Sequence, residues 1–259
     1  MAVAPDPDEI YERARKEGHR RLYMPPLEQV STGFIAGVTI VFGIVALGVI
    51  VALLDSAMGE RPAEVVGAVG FSFGVVFLIV GRTELFSENF FDPVAAAIEE
   101  GGVRVWVRMV RLWGTILLLN LVGGAALVGV MTVEGALPGD ADQVLVHLAE
   151  ATASLGWAPT LARAVLAGAL VTLLSYMLKA VNSVSARILV SAMVGFFLAL
   201  GPFDHAAVSG LQILFGVWLS DAVTYVDLFR NVGLATAGNL AGGLLLITLT
   251  HTAQVKSSR

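Results

Sequence analysis

Residues 32–54, 112–133 and 231–250 each run the length of a membrane crossing without one charged side chain. A bilayer core takes about 20 apolar residues per helical span, so any fold must place these runs in hydrocarbon or bury them whole. Shorter apolar segments lie between them, at 65–81, 164–178 and 188–203, and they stop at Arg82, Lys179 and Asp204. After Asp204 and His205 the apolar pattern resumes over 206–220. This pattern predicts an all-α membrane protein with six transmembrane helices, the second and fifth of them broken. Composition agrees, with 56% of the 259 residues hydrophobic and 14% charged.

Several function classes fall away at once. The net charge of -5 comes mostly from acids in tails and loops, which marks solvated surface rather than a cationic partner, and no nucleic acid is expected. Without cysteine there is no disulfide, thiolate metal site or cysteine nucleophile. The chain has no HExxH pair, phosphate-binding glycine loop or plausible Ser/His/Asp spacing, so neither an enzyme nor a metal or cofactor is expected. Asp204 and His205 are sequence neighbours, which on a helix point apart rather than pair. The opening PDPDEIYERARKEGHRRLYMPP is charged and lacks the layout of a signal peptide. The expected organisation is a helical cytoplasmic tail over residues 1–30, a membrane domain over 31–252 and a second cytoplasmic tail over 253–259.

Orientation follows from the basic residues, which accumulate on the cytoplasmic side. With six spans, most of the sixteen fall together: Arg13, Arg15, Lys16, Arg20 and Arg21 in the N-terminal tail, Arg104, Arg108 and Arg111, then Lys179 and Arg187, then Lys256 and Arg259. Arg61, Arg163 and Arg230 stand opposite, with Arg82 inside the membrane region. Both termini are therefore expected in the cytoplasm.

The chain also repeats itself. GRTEL at residues 81–85 answers GPFDH at 201–205, aligning Glu84 with Asp204, and NLVGG, containing Asn120, answers NLAGG, containing Asn239, at a nearly equal interval. Three spans per half invert the second half relative to the first, and interrupted segments at corresponding places point to a midplane transport site. Broken backbone is tolerated in a membrane only where protein or a cavity surrounds it. Glu84 and Asp204 are accordingly expected to cap the orphan amides of half-helices starting at Leu85 and His205. Half-helix N-termini favour an anion, and His205 is the one group there whose charge changes near neutral pH. Phe86 and Phe203 adjoin the breaks and are candidates for hydrophobic constrictions. His19, His147 and His251 fit solvated or interfacial roles.

These residues together, TELFSEN, GPFDHAAVSG and GNLAGG, resemble the formate/nitrite transporter family over most of the membrane region. The resemblance implies an aquaporin-like protomer of two inverted three-helix repeats, assembled as a homopentamer with one pore per subunit in a bacterial inner membrane. It implies small monovalent anions such as formate, nitrite or hydrosulfide as substrates, moved passively or with a proton. It further assigns Phe86 to the constriction, Ser87 to the place of a hydroxyl residue, His205 to the pore centre and Asn239 to a position facing it. Thr83, Glu84, Leu85, Asp204 and Ser209 are grouped with the broken-helix loops. Arg82, Ser209 and Thr172 depart from the family's usual residues. A water or small neutral-solute channel on the same fold is the alternative.

Overall fold

Local chemistry decides where the helices begin. Asp6 is extended and its Oδ1 accepts the Glu9 amide at 2.8 Å, with Pro7 in the first turn, so helix α1 (Pro7–Leu22) starts where cap and proline agree. Its first turn carries Asp8 and Glu9 and its last carries His19, Arg20 and Arg21, which complements the helix dipole. Proline opens α2 (Pro26–Met58), and Gly59, at a φ of 84°, separates it from α3 (Glu60–Val80). A 310 turn (Phe86–Phe90) and α4 (Asp92–Glu100) follow, then α5 (Val103–Met131) and α6 (Ala141–Ala153). The second half comprises α7 (Trp157–Ala180), α8 (Val184–Leu200), α9 (Ala206–Leu219) and α10 (Tyr225–Ala241). A π-helical turn (Gly242–Thr248) leads into α11 (Leu249–Ser257).

This structure is a computed structural model that describes residues 5–257, and no strand occurs among them. Residues 1–4 and 258–259 of the expected tails, with Arg259, lie outside the described residues. The expected boundary at residue 30 falls inside α2, and that at 252 falls inside α11. Charge-free runs mark the stretch that meets hydrocarbon, whereas caps mark helix ends. Thus α10 begins at Tyr225, behind a Thr224–Asp227 capping box, well ahead of the charge-free run.

Five helical stretches are long and apolar enough to cross a membrane: α2, α3, α5, α7 and the continuous run Tyr225–Ser257. Helices α8 and α9 are shorter and equally apolar. The first interruption follows α3 after Val80, and the chain continues through a 310 turn and the short α4. Phe42, Phe73, Phe77, Leu118, Leu189 and Leu245 stay exposed around the outside, a surface suited to lipid.

Helix α2 packs between α3 and α5, while α7 packs on α10 and α3 on α8. Where lipid is as apolar as the side chains, close contact rather than transfer from water holds such pairs. A Cβ on Gly37 would lie 2.0 Å from the Asn120 carbonyl oxygen, and one on Gly168 would lie 2.1 Å from that of Asn239. The α2–α5 and α7–α10 pairs thus close through corresponding glycines against corresponding asparagines. Ile40, Ile44, Phe71, Leu78, Leu174, Leu211 and Phe215 belong to the main core, and a second cluster joins Phe86 and Phe90 to Ile116, Ala164 and Ala206.

Candidate functional site

Both interruptions are held by an asparagine reaching in from another helix. At the first, Asn120 of α5 donates to the carbonyls of Gly33 at 2.9 Å and Glu84 at 3.0 Å, while its Oδ1 accepts the Phe86 amide at 3.0 Å. At the second, Asn239 of α10 donates to the carbonyls of Ala164 at 2.8 Å and Asp204 at 3.0 Å, and its Oδ1 accepts the Ala206 amide at 2.9 Å. Each amide satisfies one backbone donor and one acceptor of the interruption that hydrocarbon would leave unpaired, and adds a bond to a carbonyl of a neighbouring helix. The Glu84 amide also reaches the Thr32 carbonyl, as the Asp204 amide reaches that of Arg163. Asn239 is fully buried, and its polar atoms are directed at backbone beside His205.

These clamps correct the expectation that Glu84 and Asp204 cap the helices. Neither the 310 turn nor α9 receives a side-chain cap from its preceding residue, and they begin at Phe86 and Ala206. Asp204 instead accepts from Asn231 Nδ2 at 3.0 Å. Ser209, grouped with the loops, lies one turn inside α9; its hydroxyl is 2.8 Å from Asn231 Oδ1 and 2.9 Å from the His205 carbonyl oxygen. Thr83 Oγ1 donates to the Leu78 carbonyl at 3.1 Å, closing the end of α3, and the Leu85 carbonyl accepts from Asn89 at 2.9 Å.

Where the interruptions meet, Ser87 Oγ and His205 Nε2 lie 2.5 Å apart, with both residues buried. Which partner donates depends on the imidazole tautomer. His205 Nδ1 is buried and makes no hydrogen bond among the described residues, so the ring keeps one nitrogen uncommitted. Phe86 is buried and meets Phe90 edge-on with ring centres 4.9 Å apart, and Phe90 meets Trp113 in the same way at 5.5 Å. Phe203 is only partly buried and packs on the main core, so the two candidate constriction rings belong to different clusters.

Glu84 turns toward α1. Its Oε1 is 2.8 Å from Arg20 Nη2 and its Oε2 is 3.2 Å from Arg21 Nε. Arg21 is buried, lies 3.4 Å from Glu88 Oε1 and 3.7 Å from Asp92 Oδ2, and donates to the Glu88 carbonyl at 3.0 Å. Burial opposes its charge, yet Glu84, Glu88, Asp92 and Glu17 outweigh that and raise its pKa. Lys179 of α7 completes the group at 2.8 Å from Asp92. On α1, burial pushes Glu17 upward, but the hydrogen bond from Arg20 and the nearby charges of Arg21 and Lys179 bring it down to about 2.

The repeat marks Asn120 without giving it a role, and its match to Asn239 is the available signal. Arg20 and Arg21 looked like tail residues, and only the need of Glu84 for a partner pointed toward them. Among the other departures, Arg82 is exposed with a φ of 56°, and Thr172 is buried with its hydroxyl unpaired among the described residues.

Known proteins match this chain along nearly its full length. The family model described as Formate/nitrite transporter matches residues 8–253. The Escherichia coli (strain K12) inner membrane protein YfdC is 24% identical over 249 residues, covering 96% of this chain and 78% of that protein. A probable formate transporter of Methanothermobacter thermautotrophicus is 28% identical over 243 residues, with 84% and 85% covered. A solved pentameric formate channel with formate bound superposes with a TM-score of 0.74 at 17% identity, covering 93% of this chain and 98% of that one, which shows a shared fold. This is a family of transport proteins rather than enzymes. Helical architecture, paired interruptions and a family match from residue 8 to residue 253 lead to one assignment: the chain belongs to the formate/nitrite transporter family.

Proposed function

We propose that the protein carries a small monovalent anion, or its weak acid, across the inner membrane through a pore centred on Ser87 and His205. The observation that carries this reading is their 2.5 Å contact, which joins two helix interruptions in the buried interior. A bare anion faces a steep barrier at apolar constrictions, and protonation removes most of it. His205 supplies or relays that proton, Ser87 holds the ring, and Phe86 and Phe203 form the constrictions. Asn239 serves the centre by fixing the backbone beside His205.

In this reading six spans cross the bilayer as two inverted repeats, aquaporin-like, with the second and fifth broken and both termini cytoplasmic. The matching asparagine clamps and glycine contacts of the two halves support the inversion. The formate named for two relatives, and the pentamer named for one, favour formate, nitrite or hydrosulfide as substrate and a homopentamer as the assembly.

Purified protein reconstituted into liposomes tests this directly, with formate and nitrite uptake measured beside osmotic swelling. The expected result is anion flux that saturates or carries current and rises as the medium is acidified. Swelling by water or a neutral solute, with neither anion transported, would overturn it.

A further inference from the structure

Arg104, Arg108 and Arg111 occupy one face of the first three turns of α5, at spacings of four and three residues, and all are exposed. No carboxylate lies within ion-pairing distance of any of them among the described residues, whereas Arg13, Arg15, Arg20 and Arg21 on α1 are all paired. Glu100 accepts from the Tyr23 hydroxyl, and Glu28 pairs with Arg20. Tyr23 also presents its ring to Arg108, whose guanidinium carbon sits 4.6 Å from the ring centre.

These arginines stand at the edge of the hydrocarbon, since the charge-free run of α5 starts at Leu112 and α2 opens at Pro26. Arg108 and Arg111 line a cleft of about 290 Å³ between α5 and the α1–α2 connection, with Tyr23 and Gln29 opposite. Val103, Val107 and Val110 beside them are 79%, 60% and 60% exposed, and Trp106 is exposed as well. Cations without carboxylate partners, beside exposed apolar chains and interfacial aromatics, match a ligand with a phosphate at one end and acyl chains at the other.

We infer that this cleft seats the phosphate headgroup of an anionic phospholipid from the leaflet on the N-terminal side of the membrane. Arg108 and Arg111 contact the phosphate, Arg104 adds to the local field, and the acyl chains run along Val103, Val107 and Val110. A free anion would leave that apolar flank unused, which is why the occupant is a lipid.

The test titrates phosphatidylglycerol or phosphatidylcholine into the intact purified protein in detergent and counts bound lipids by native mass spectrometry. Wild-type protein is expected to prefer phosphatidylglycerol. Arg108→Gln with Arg111→Gln should reduce that preference by about fivefold for each arginine removed. Arg108→Lys with Arg111→Lys should retain it, as should Arg61→Gln elsewhere on the surface. Equal preference in wild type and the glutamine variant would overturn the inference. So would displacement of phosphatidylglycerol by inorganic phosphate at matched ionic strength, which would mark a free-anion site. A glutamine variant that changes oligomeric state while keeping its lipid preference would mark a contact between copies and overturn it too.

Discussion

Asn120 and Asn239 each commit a whole side chain to three backbone groups, and nothing else in the described residues reproduces that service. Alanine at either position removes the partner of one buried amide and one interruption carbonyl, at about 1 to 3 kcal/mol for each unsatisfied group. Asn239→Ala should therefore lower the unfolding temperature in detergent sharply, and Asn120→Ala should do so to a similar degree. A loss confined to one of them would contradict their equivalence. Arg82 gives a prediction of opposite sign. A left-handed backbone costs a non-glycine residue roughly 1 to 2 kcal/mol, and Arg82 is exposed at a φ of 56° without an ion pair among the described residues. Arg82→Gly is expected to raise thermal stability slightly, and a fall would mean the guanidinium does something for the fold that its surroundings do not reveal. The two cases differ in how they could be read from sequence: the asparagines stood in a visible repeat, whereas a φ angle leaves no trace in composition.

Helix α1 and the first interruption form one electrostatic unit. Arg21 is buried against Glu84, Glu88 and Asp92, and removing one side of a buried ion group typically costs 3 to 5 kcal/mol. Arg21→Met should therefore destabilise the whole protein by about that amount, measured by thermal unfolding, although its position resembles that of a dispensable tail residue. The pH dependence follows from Glu17, whose pKa falls from 4.5 to about 2 on folding. A depressed carboxylate contributes stability that is complete above its unfolded pKa and is lost as pH falls toward the folded value. The advantage of wild type over Glu17→Gln should thus hold at neutral pH and shrink between about 4.5 and 2. An advantage that grew in acid would contradict the assignment. This part of the fold was poorly legible in the sequence because ion pairing between α1 and the interruption is a long-range choice, whereas apolar runs announce spans locally. Helices α4 and α6 escaped notice for a related reason: they are short, and α6 lies outside the charge-free runs.

At the scale of the molecule, the apolar runs and the repeat made the helical membrane architecture readable, and TELFSEN with GPFDHAAVSG identified the two interruptions that meet at Ser87 and His205. What they left open was how the interruptions are stabilised, since cross-helix clamps depend on packing between segments far apart in the sequence. Gly37 and Gly168 let those clamping helices close, so Gly37→Leu should disrupt the α2–α5 contact and, with it, the support that Asn120 gives the first interruption. In the proposed function His205 joins the transported anion to a proton at this junction. The most direct test is formate flux into liposomes at a series of pH values from acid to neutral, comparing wild type with His205→Phe at matched protein incorporation. Wild-type flux should rise in acid, and the variant should lose this pH dependence along with most of its flux. Unchanged flux with an unchanged pH profile in the variant would contradict it.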